Sequence, residues 1–395
     1  MTGSPPTPAS FTDAIPHAVE EGAPYFLHDA EEYRTTLFSL LRAAREEILL
    51  EFYIFEADTF GERLLQELLD AAGRGVKVRM IVDGFGSRFW LQAKVAELRK
   101  LPLEVRIYHP LPWSVLSLRH ALRVPRDVLY HLGTFNRRDH RKLVIVDGRY
   151  GMLGSHNIWS ASLQWHEASL LLTRGCAALR DSFERVWGRT CDLDGKRWQL
   201  RKRRAAKAQG TVLGTDCGEV LDNTTLRRSW LRNKTILALI ASAEQRLWIT
   251  TPYLFPHRAM LRQIKARAAA GVDVKLILPR RSDVRFSHWM AQGLYEELLQ
   301  SGVALHEFTG DILHAKVMVA DDRFLLGSSN LNHRSFVQDL EIDYLGIEPQ
   351  TLEQIVQWKR DTLEKSERVG TVDQVSLYRL KYCLARLMNP WRVFF

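Results

Sequence analysis

Cysteine is scarce in this chain, with four residues in 395: Cys176, Cys191, Cys217 and Cys383. They show neither metal-ligand spacing nor a dense framework, so reduced thiols in a cytosol-facing protein are expected. No metal site and no cofactor is expected either. Long apolar runs are missing too. No stretch approaches eighteen uncharged apolar residues, so no membrane span is expected, and any membrane would be met at its surface. The opening "MTGSPPTPASFTDAIPHAVEEGAP" lacks a basic segment followed by an apolar one, which argues against a secretory signal. Its Pro, Ser and Thr mark residues 1–24 as a loose tail.

What is present suits a globular chain: 46% apolar and 26% charged residues, over a length that allows two domains. The net charge of +9 favours an anionic partner, nucleic acid or acidic lipid, without choosing between them. Eleven Trp and seventeen Phe leave aromatic surface available for an interface.

The chain repeats itself. "REEILLEFYIFEADTFGERLLQELLDAAGRGVKVRMIVDGFGS" begins at Arg45, and "AEQRLWITTPYLFPHRAMLRQIKARAAAGVDVKLILPRRSD" begins at Ala243. Each reads as a strand, a helix with apolar residues three and four apart, and a second strand led by Gly-Val-x-Val. Leu64, Leu65, Leu68 and Leu69 form the expected buried stripe of the first helix, and Met260, Leu261 and Ile264 that of the second. Strand, helix, strand is a right-handed parallel crossover, so the fold class is α/β, duplicated within one polypeptide. The halves are placed at 25–193 and 211–375. Between them "DGKRWQLRKRRAAKAQG", residues 194–210, holds seven Lys or Arg. It is a solvated linker or a strip for lipid or nucleic acid. The copies differ in one place: 65 residues separate Gly75 from His140, but 43 separate Gly271 from His314. The surplus, roughly 110–133, mixes Arg119, Arg123 and Arg126 with Trp113, Leu116, Leu118 and Leu122, as an interfacial element or a packed loop would. The basic, apolar tail 376–395 suits either a membrane-surface anchor or a segment docked on the core.

The reactive groups lie in "DHRKLVIVDGRYGMLGSHN" and "LHAKVMVADDRFLLGSSN". Each apolar run reads as a buried strand entered on a His and a Lys two residues apart, which share one face: His140 with Lys142, and His314 with Lys316. Imidazole is a competent nucleophile at phosphorus and titrates near neutrality. A Lys beside it supplies positive charge where phosphoryl oxygens gather negative charge. Two matching halves facing one another would let one His attack while the other protonates the leaving alcohol. Asp147 and Asp321, seven residues past each His, sit at turns and are read as turn-setting members of the motif rather than reacting groups. Ser155 with Asn157, and Ser328 with Asn330, are placed on the returning strand, either donating to phosphate or bonding within the turn and ladder. Glu167 and Glu341 lie in or beside strand-like runs and are candidates to orient the imidazoles, with Asp339 or Asp343 as substitutes for Glu341. Arg280 and Arg281 are expected at a carboxyl edge of the sheet, where α/β proteins bind ligands; they are candidate phosphate contacts or a surface pair.

These residues resemble the phospholipase D superfamily, whose members carry two His-x-Lys-x4-Asp motifs followed by Gly-Ser-x-Asn or Gly-Ser-x-x-Asn. His140, Lys142, Asp147, Gly154, Ser155 and Asn157 match that spacing. His314, Lys316 and Asp321 match as well, although only five residues part Asp321 from Gly327, against six in the first copy. Within the superfamily, "EFYIF", "RGVKVRMIVDGFGS", "TPYLFP" and "LGSSNLNHRSF" are most similar to short bacterial cardiolipin synthases without N-terminal spans. The resemblance implies two pseudo-symmetric halves, each a mixed sheet flanked by helices, with the active site at their interface. It implies a metal-free, two-step phosphatidyl transfer between phosphatidylglycerol molecules through a phosphohistidine, with His140 attacking and His314 as the acid. The expected partners are phosphatidylglycerol and an anionic membrane surface, with no nucleic acid, and the expected place is peripheral on the cytoplasmic side of the bacterial cell membrane. Two rivals stand beside it: a phospholipase D or nuclease-type phosphodiesterase of the same superfamily, and a lipid-binding scaffold without chemistry.

Overall fold

The structure, a computed structural model, describes residues 22–111, 136–194 and 218–371 together with 379, 380 and 383. The expected insert at 110–133 and the basic linker lie almost wholly outside the described residues. So does the tail, apart from those three positions.

The first half runs β1 (Tyr25–Leu27), α1 (Ala30–Ala43), β2 (Glu47–Phe52), α2 (Thr59–Gly73), β3 (Lys77–Asp83), α3 (Arg88–Leu98), β4 (Glu104–Tyr108), β5 (Lys142–Val146), β6 (Tyr150–Gly154), β7 (Ser169–Leu172) and α4 (Cys176–Trp187). The second runs β8 (Glu219–Asp222), α5 (Leu226–Ser242), β9 (Arg246–Thr250), β10 (Leu254–Phe255), α6 (Arg258–Ala269), β11 (Asp273–Pro279), α7 (Arg285–Gln292), α8 (Tyr295–Gln300), β12 (Ala304–Phe308), β13 (Val317–Ala320), β14 (Arg323–Gly327), β15 (Leu331–Asn332), α9 (His333–Val337), β16 (Ile342–Gly346), α10 (Pro349–Glu364) and β17 (Ser366–Val369).

The sheets have the orders β1-β7-β6-β5-β2-β3-β4 and β8-β16-β14-β13-β9-β11-β12-β17, so every strand of the first has a counterpart in the second. Among the described residues β17 is the one addition to that sheet, and β10 and β15 pair separately as a two-stranded parallel ribbon. In both halves the first two strands of the repeat pair parallel, β2 with β3 and β9 with β11, while the His-led strand pairs antiparallel to the first.

Local chemistry explains the shared unit. Asp58 accepts hydrogen bonds from the Phe60 and Gly61 amides and starts α2, as an N-cap should. Leu64, Leu65 and Leu68 are buried, and burying each contributes roughly 1.5–3 kcal/mol. The repeated Gly-Val stops the helix and starts the strand. Gly75 and Gly271 adopt φ of 90° and 88°, and the next amides, Val76 and Val272, reach back 3.1 Å to Ala71 and Arg267. This is a Schellman closure, in which only glycine sits without strain.

The sheets are buried on both faces, hence their near-continuous apolar strands. Val144 and Val146 face the outer layer with Leu37, Leu41, Leu64 and Leu68 of α1 and α2. Leu143 and Ile145 face inward and meet Val317, Val319 and Tyr344 of the other half, with Phe183 of α4 and Trp358 of α10 completing that core. The two sheets therefore pack face to face, and the His-led strands lie at the centre.

Candidate active site

Two backbone clamps join the halves beside the reactive residues. The amide of His140 donates to the Leu340 carbonyl at 3.0 Å, and that of His314 to the His166 carbonyl at 2.9 Å. Leu340 and His166 each precede a candidate orienting glutamate, and the side chains follow suit. Nδ1 of His314 lies 2.7 Å from Oε1 of Glu167. Nδ1 of His140 lies 3.0 Å from the Ser328 carbonyl oxygen and 3.3 Å from Oε2 of Glu341. Each imidazole is thus held by the glutamate of the opposite half, an exchange that spacing along the chain did not reveal.

With only acceptors against them, both Nδ1 atoms carry the proton, which leaves each Nε2 as the reactive nitrogen. Both rings line one cavity of about 710 Å³ together with Asn157 and Asn330. Lys142 and Lys316 are buried beside them, each Nζ donating to the carbonyl of its own His, at 2.5 and 2.6 Å. Lys316 also reaches Nε2 of His314 at 3.1 Å, whereas Nε2 of His140 has no such contact among the described residues.

Burial sets the charges. It lowers Lys142 to about 7, helped by the nearby Lys316 ammonium, and Lys316 to about 8 against the pull of Glu167. Burial and the two ammoniums hold His140 well below the usual imidazole range. Burial lowers His314 as well, with Glu167 pulling the other way. Glu167 is pushed up by burial but falls to about 2 because His314 sits against it. Glu341 is raised by burial, offset in part by Lys142, Arg232 and the hydroxyls of Ser328 and Ser335.

The aspartates of the motif lie elsewhere. Asp147 and Asp321 end β5 and β13 at the edge away from the histidines, both with φ of 51°. Each carboxylate accepts three consecutive amides, Arg45 to Glu47 and Glu244 to Arg246, and so ties the hairpin to the start of β2 or β9. They set a turn, as expected, but bond a loop about a hundred or seventy-five residues away rather than their own backbone. The short second motif loses its residue in that turn. Leu143 opposes Leu153 and Val317 opposes Leu326, so the register next to each Lys is the same.

Gly154 and Gly327 permit the returning strand to pass its neighbour. A Cβ there would stand 2.5 Å from the Ala168 carbonyl oxygen or 2.4 Å from that of Ile342. Ser155 is a ladder residue: its Oγ donates to Ala168 O and accepts from Ala168 N, both at 3.0 Å. Ser328 bonds Glu341 and the Ile342 amide. Neither serine lines the cavity. Asp339 pairs with Arg334 and Asp343 with Arg232, so neither replaces Glu341.

Arg280 and Arg281 follow the carboxyl end of β11 and are both exposed, as the surface-pair reading has it. Arg280 pairs with Glu367, and Arg280 and Arg281 line a separate depression of about 410 Å³ with Ser282 and Trp289. The turn after β11 carries them past the cavity. Other arginines line the cavity: Arg88, Arg138 and Arg334. Arg138 shares the two-residue parity of His140 and Lys142, a signal legible in sequence; Arg334 had none. Tyr53 and Tyr253 line it as well, from corresponding places just after β2 and β9, with ring centroids 5.1 Å from His140 and 6.4 Å from His314.

Among the described residues no group of three or more His, Cys, Asp or Glu is arranged as a metal site, and no helix is long and apolar enough to cross a membrane.

Comparison with known proteins agrees with this geometry. The family model "Cardiolipin synthase, PLD-like domain" matches residues 37–187 and 236–361, one segment in each half. Cardiolipin synthase of Geobacillus kaustophilus is 27% identical over 92% of this chain and 71% of its own length. Cardiolipin synthase 2 of Bacillus anthracis is 29% identical over 92% and 70%. The phosphatidylserine synthase of Haemophilus influenzae shares the fold, with a TM-score of 0.69 over 94% of this chain and 93% of that one, at 14% identity. The chain therefore belongs to the cardiolipin synthase family of the phospholipase D superfamily.

Proposed function

We propose that this phosphatidyltransferase of the cardiolipin synthase type moves phosphatidyl from one phosphatidylglycerol to another through a phosphohistidine on His140. The observation that carries the reading is the pair of imidazoles, each anchored at Nδ1 from the opposite half, with both Nε2 atoms facing one cavity beside two buried lysines. Nε2 of His140 attacks phosphorus; the P–N bond forms as the P–O bond to glycerol breaks, and His314, doubly protonated as an imidazolium against Glu167, gives its Nε2 proton to the departing glycerol. A hydroxyl of a second phosphatidylglycerol then returns that proton to His314, attacks phosphorus, and displaces His140 to release cardiolipin and regenerate the site. Lys142 and Lys316 offset the charge on the phosphoryl oxygens.

The division of roles follows the unequal surroundings. His140 is the more firmly neutral ring and its Nε2 is unencumbered, which suits a nucleophile. Glu167, ionised and close, suits the stabilisation of an imidazolium at His314. The substrate class is phospholipid, and association with an anionic membrane from its cytoplasmic side accords with the net charge of +9.

The test is product analysis by mass spectrometry on phosphatidylglycerol vesicles in chelator, beside His140→Ala. Cardiolipin and glycerol, absent with the variant, are expected. Phosphatidic acid alone would make water the acceptor and overturn the transfer reading.

A further inference from the structure

The mouth of the cavity is framed by two short segments that occupy the same place in each half, the turns leaving the carboxyl ends of β3 and β11. Their apolar side chains point out of the protein. Phe85 is 43% exposed and Phe89 56%, and on the other bank Val284 is 43% and Trp289 46% exposed. Phe85, Phe89 and Val284 also line the cavity. Three large apolar groups around one opening, with Trp289 beside them on α7 in the adjoining depression, are more than scattered surface residues, which occur singly.

These banks are built rather than loose. Asp83 Oδ1 accepts the Phe85 and Gly86 amides at 2.8 and 2.9 Å. Ser87 Oγ accepts from the Phe55 amide and donates to the Tyr53 carbonyl, each at 3.0 Å. The second bank is fixed by Tyr253, whose hydroxyl donates to Asp283 at 2.6 Å. Both banks are therefore fastened to the segments carrying Tyr53 and Tyr253, next to the reactive histidines.

Their charge is mostly positive. Arg88 covers the rings of Phe85 and Phe89 at 4.6 and 4.2 Å. Arg281 and Arg285 are exposed on the other bank, against the hydrogen-bonded Asp283. Aromatic rings that interrupt a basic surface match the bilayer interface, where rings enter the headgroup layer and guanidiniums meet lipid phosphate.

We propose that this rim is the surface on which the protein seats itself on an anionic bilayer, with the cavity opening directly onto the headgroups. The inference rests on the phospholipid reading of the cavity and adds the element that meets the membrane, distinct from the insert and the tail expected from sequence. In this arrangement the phosphate enters between the histidines while the acyl chains stay in the bilayer.

Binding, rather than turnover, tests it. The full chain in the His140→Ala background, which cannot consume lipid, is titrated with vesicles of phosphatidylcholine containing phosphatidylglycerol and followed by sedimentation. Phe89→Ser with Trp289→Ser should lower the partition coefficient at least about tenfold, since each removes a ring from the interface. Trp230→Ser removes a ring that is 60% exposed on α5 and lines neither the cavity nor the adjoining depression, and should change binding less than about twofold. An unaltered thermal transition confirms folding. Equal loss in the Trp230 variant, or undiminished binding in the double variant, overturns the proposal. So does a double variant that binds vesicles normally but changes oligomeric state, since the rim would then join two copies. Cardiolipin formation by the unmutated protein is scored separately. Its absence with rim-dependent binding would fault the reaction, and its presence with rim-independent binding would fault the docking.

Discussion

The two halves share a sheet order and a motif but differ in what stands behind each histidine. Behind His314, Glu167 gives one oxygen to the imidazole, and its other oxygen has no hydrogen bond among the described residues. Beyond Lys316 its neighbours are uncharged: His156 stacks on Tyr33 at 3.9 Å and meets Ser169 Oγ at 2.8 Å. Behind His140, Glu341 accepts from Ser328 and Ser335, and Arg232 binds Asp343 and Ser329. The positions correspond. Ser329 and Asp343 stand where the first half has His156 and Ser169, and Tyr33 and Arg232 each lie eleven residues before the alanine that ends its helix, Ala44 or Ala243. A duplicated scaffold has kept its geometry and parted its electrostatics. One glutamate is left free to concentrate its charge on one ring, while the other is shared among hydroxyls.

The largest effects should come from the rings themselves. Removing either histidine is expected to lower turnover by about 10⁴-fold. The two losses should differ in kind. His314→Ala should still capture phosphatidyl from a donor with a good leaving group, giving acid-labile label on a peptide containing His140, and His140→Ala should give none. Label on His314 would reverse the assignment.

Next come the glutamates. Glu167→Gln is expected to cost roughly 10- to 100-fold in kcat, as loss of a carboxylate behind a working imidazole does. Glu341→Gln should cost only about two- to tenfold, because the Ser328 carbonyl still holds His140. Equal losses in kcat would erase the distinction drawn between the halves.

The lysines make a pH prediction with a definite sign. A buried ammonium lowered to about 7 or about 8 loses its charge as pH rises through that range, so kcat/KM should fall from neutrality upward. Lys142 should lose its charge first, and Lys142→Met should remove the lower step while lowering the whole curve. A profile that rises between pH 7 and 9 would contradict the burial argument.

Much of this was legible before any coordinate. The parallel crossover followed from helical spacing at Leu64, Leu65 and Leu68 and from the repeated Gly-Val, and the histidines and lysines from their shared parity. What spacing could not show was the exchange of glutamates, because the clamps at Leu340 and His166 exist only when the halves meet. For Arg280 and Arg281 the choice between phosphate contact and surface pair stayed open because a turn residue has no parity to fix its direction. Arg334 was missed because α9, which carries it, is a single short turn whose aim depends on Asp339 and Asn136.

The smallest effect on chemistry, and a clear one on stability, is expected at the aspartates. Asp321→Asn weakens three amide contacts at a partly solvated site, a loss of about 1–3 kcal/mol in unfolding free energy with kcat unchanged. Burial alone would raise Asp321, but the three amides outweigh it and hold its carboxyl below the ordinary range. Its contribution is therefore present above about pH 4 and disappears as pH falls through the lowered value, so the melting difference between variant and parent should shrink in acid. A fall in kcat instead would return these residues to the reaction.

The exchange of glutamates has a consequence for how the protein is made. While the second half is still being translated, the first already carries His140 and Lys142, yet the carboxylate that aligns that ring has not been synthesised. The early chain holds His140 without Glu341 and without His314, with which it shares the cavity. The cavity with both anchored histidines is complete only when both halves have emerged and closed on one another.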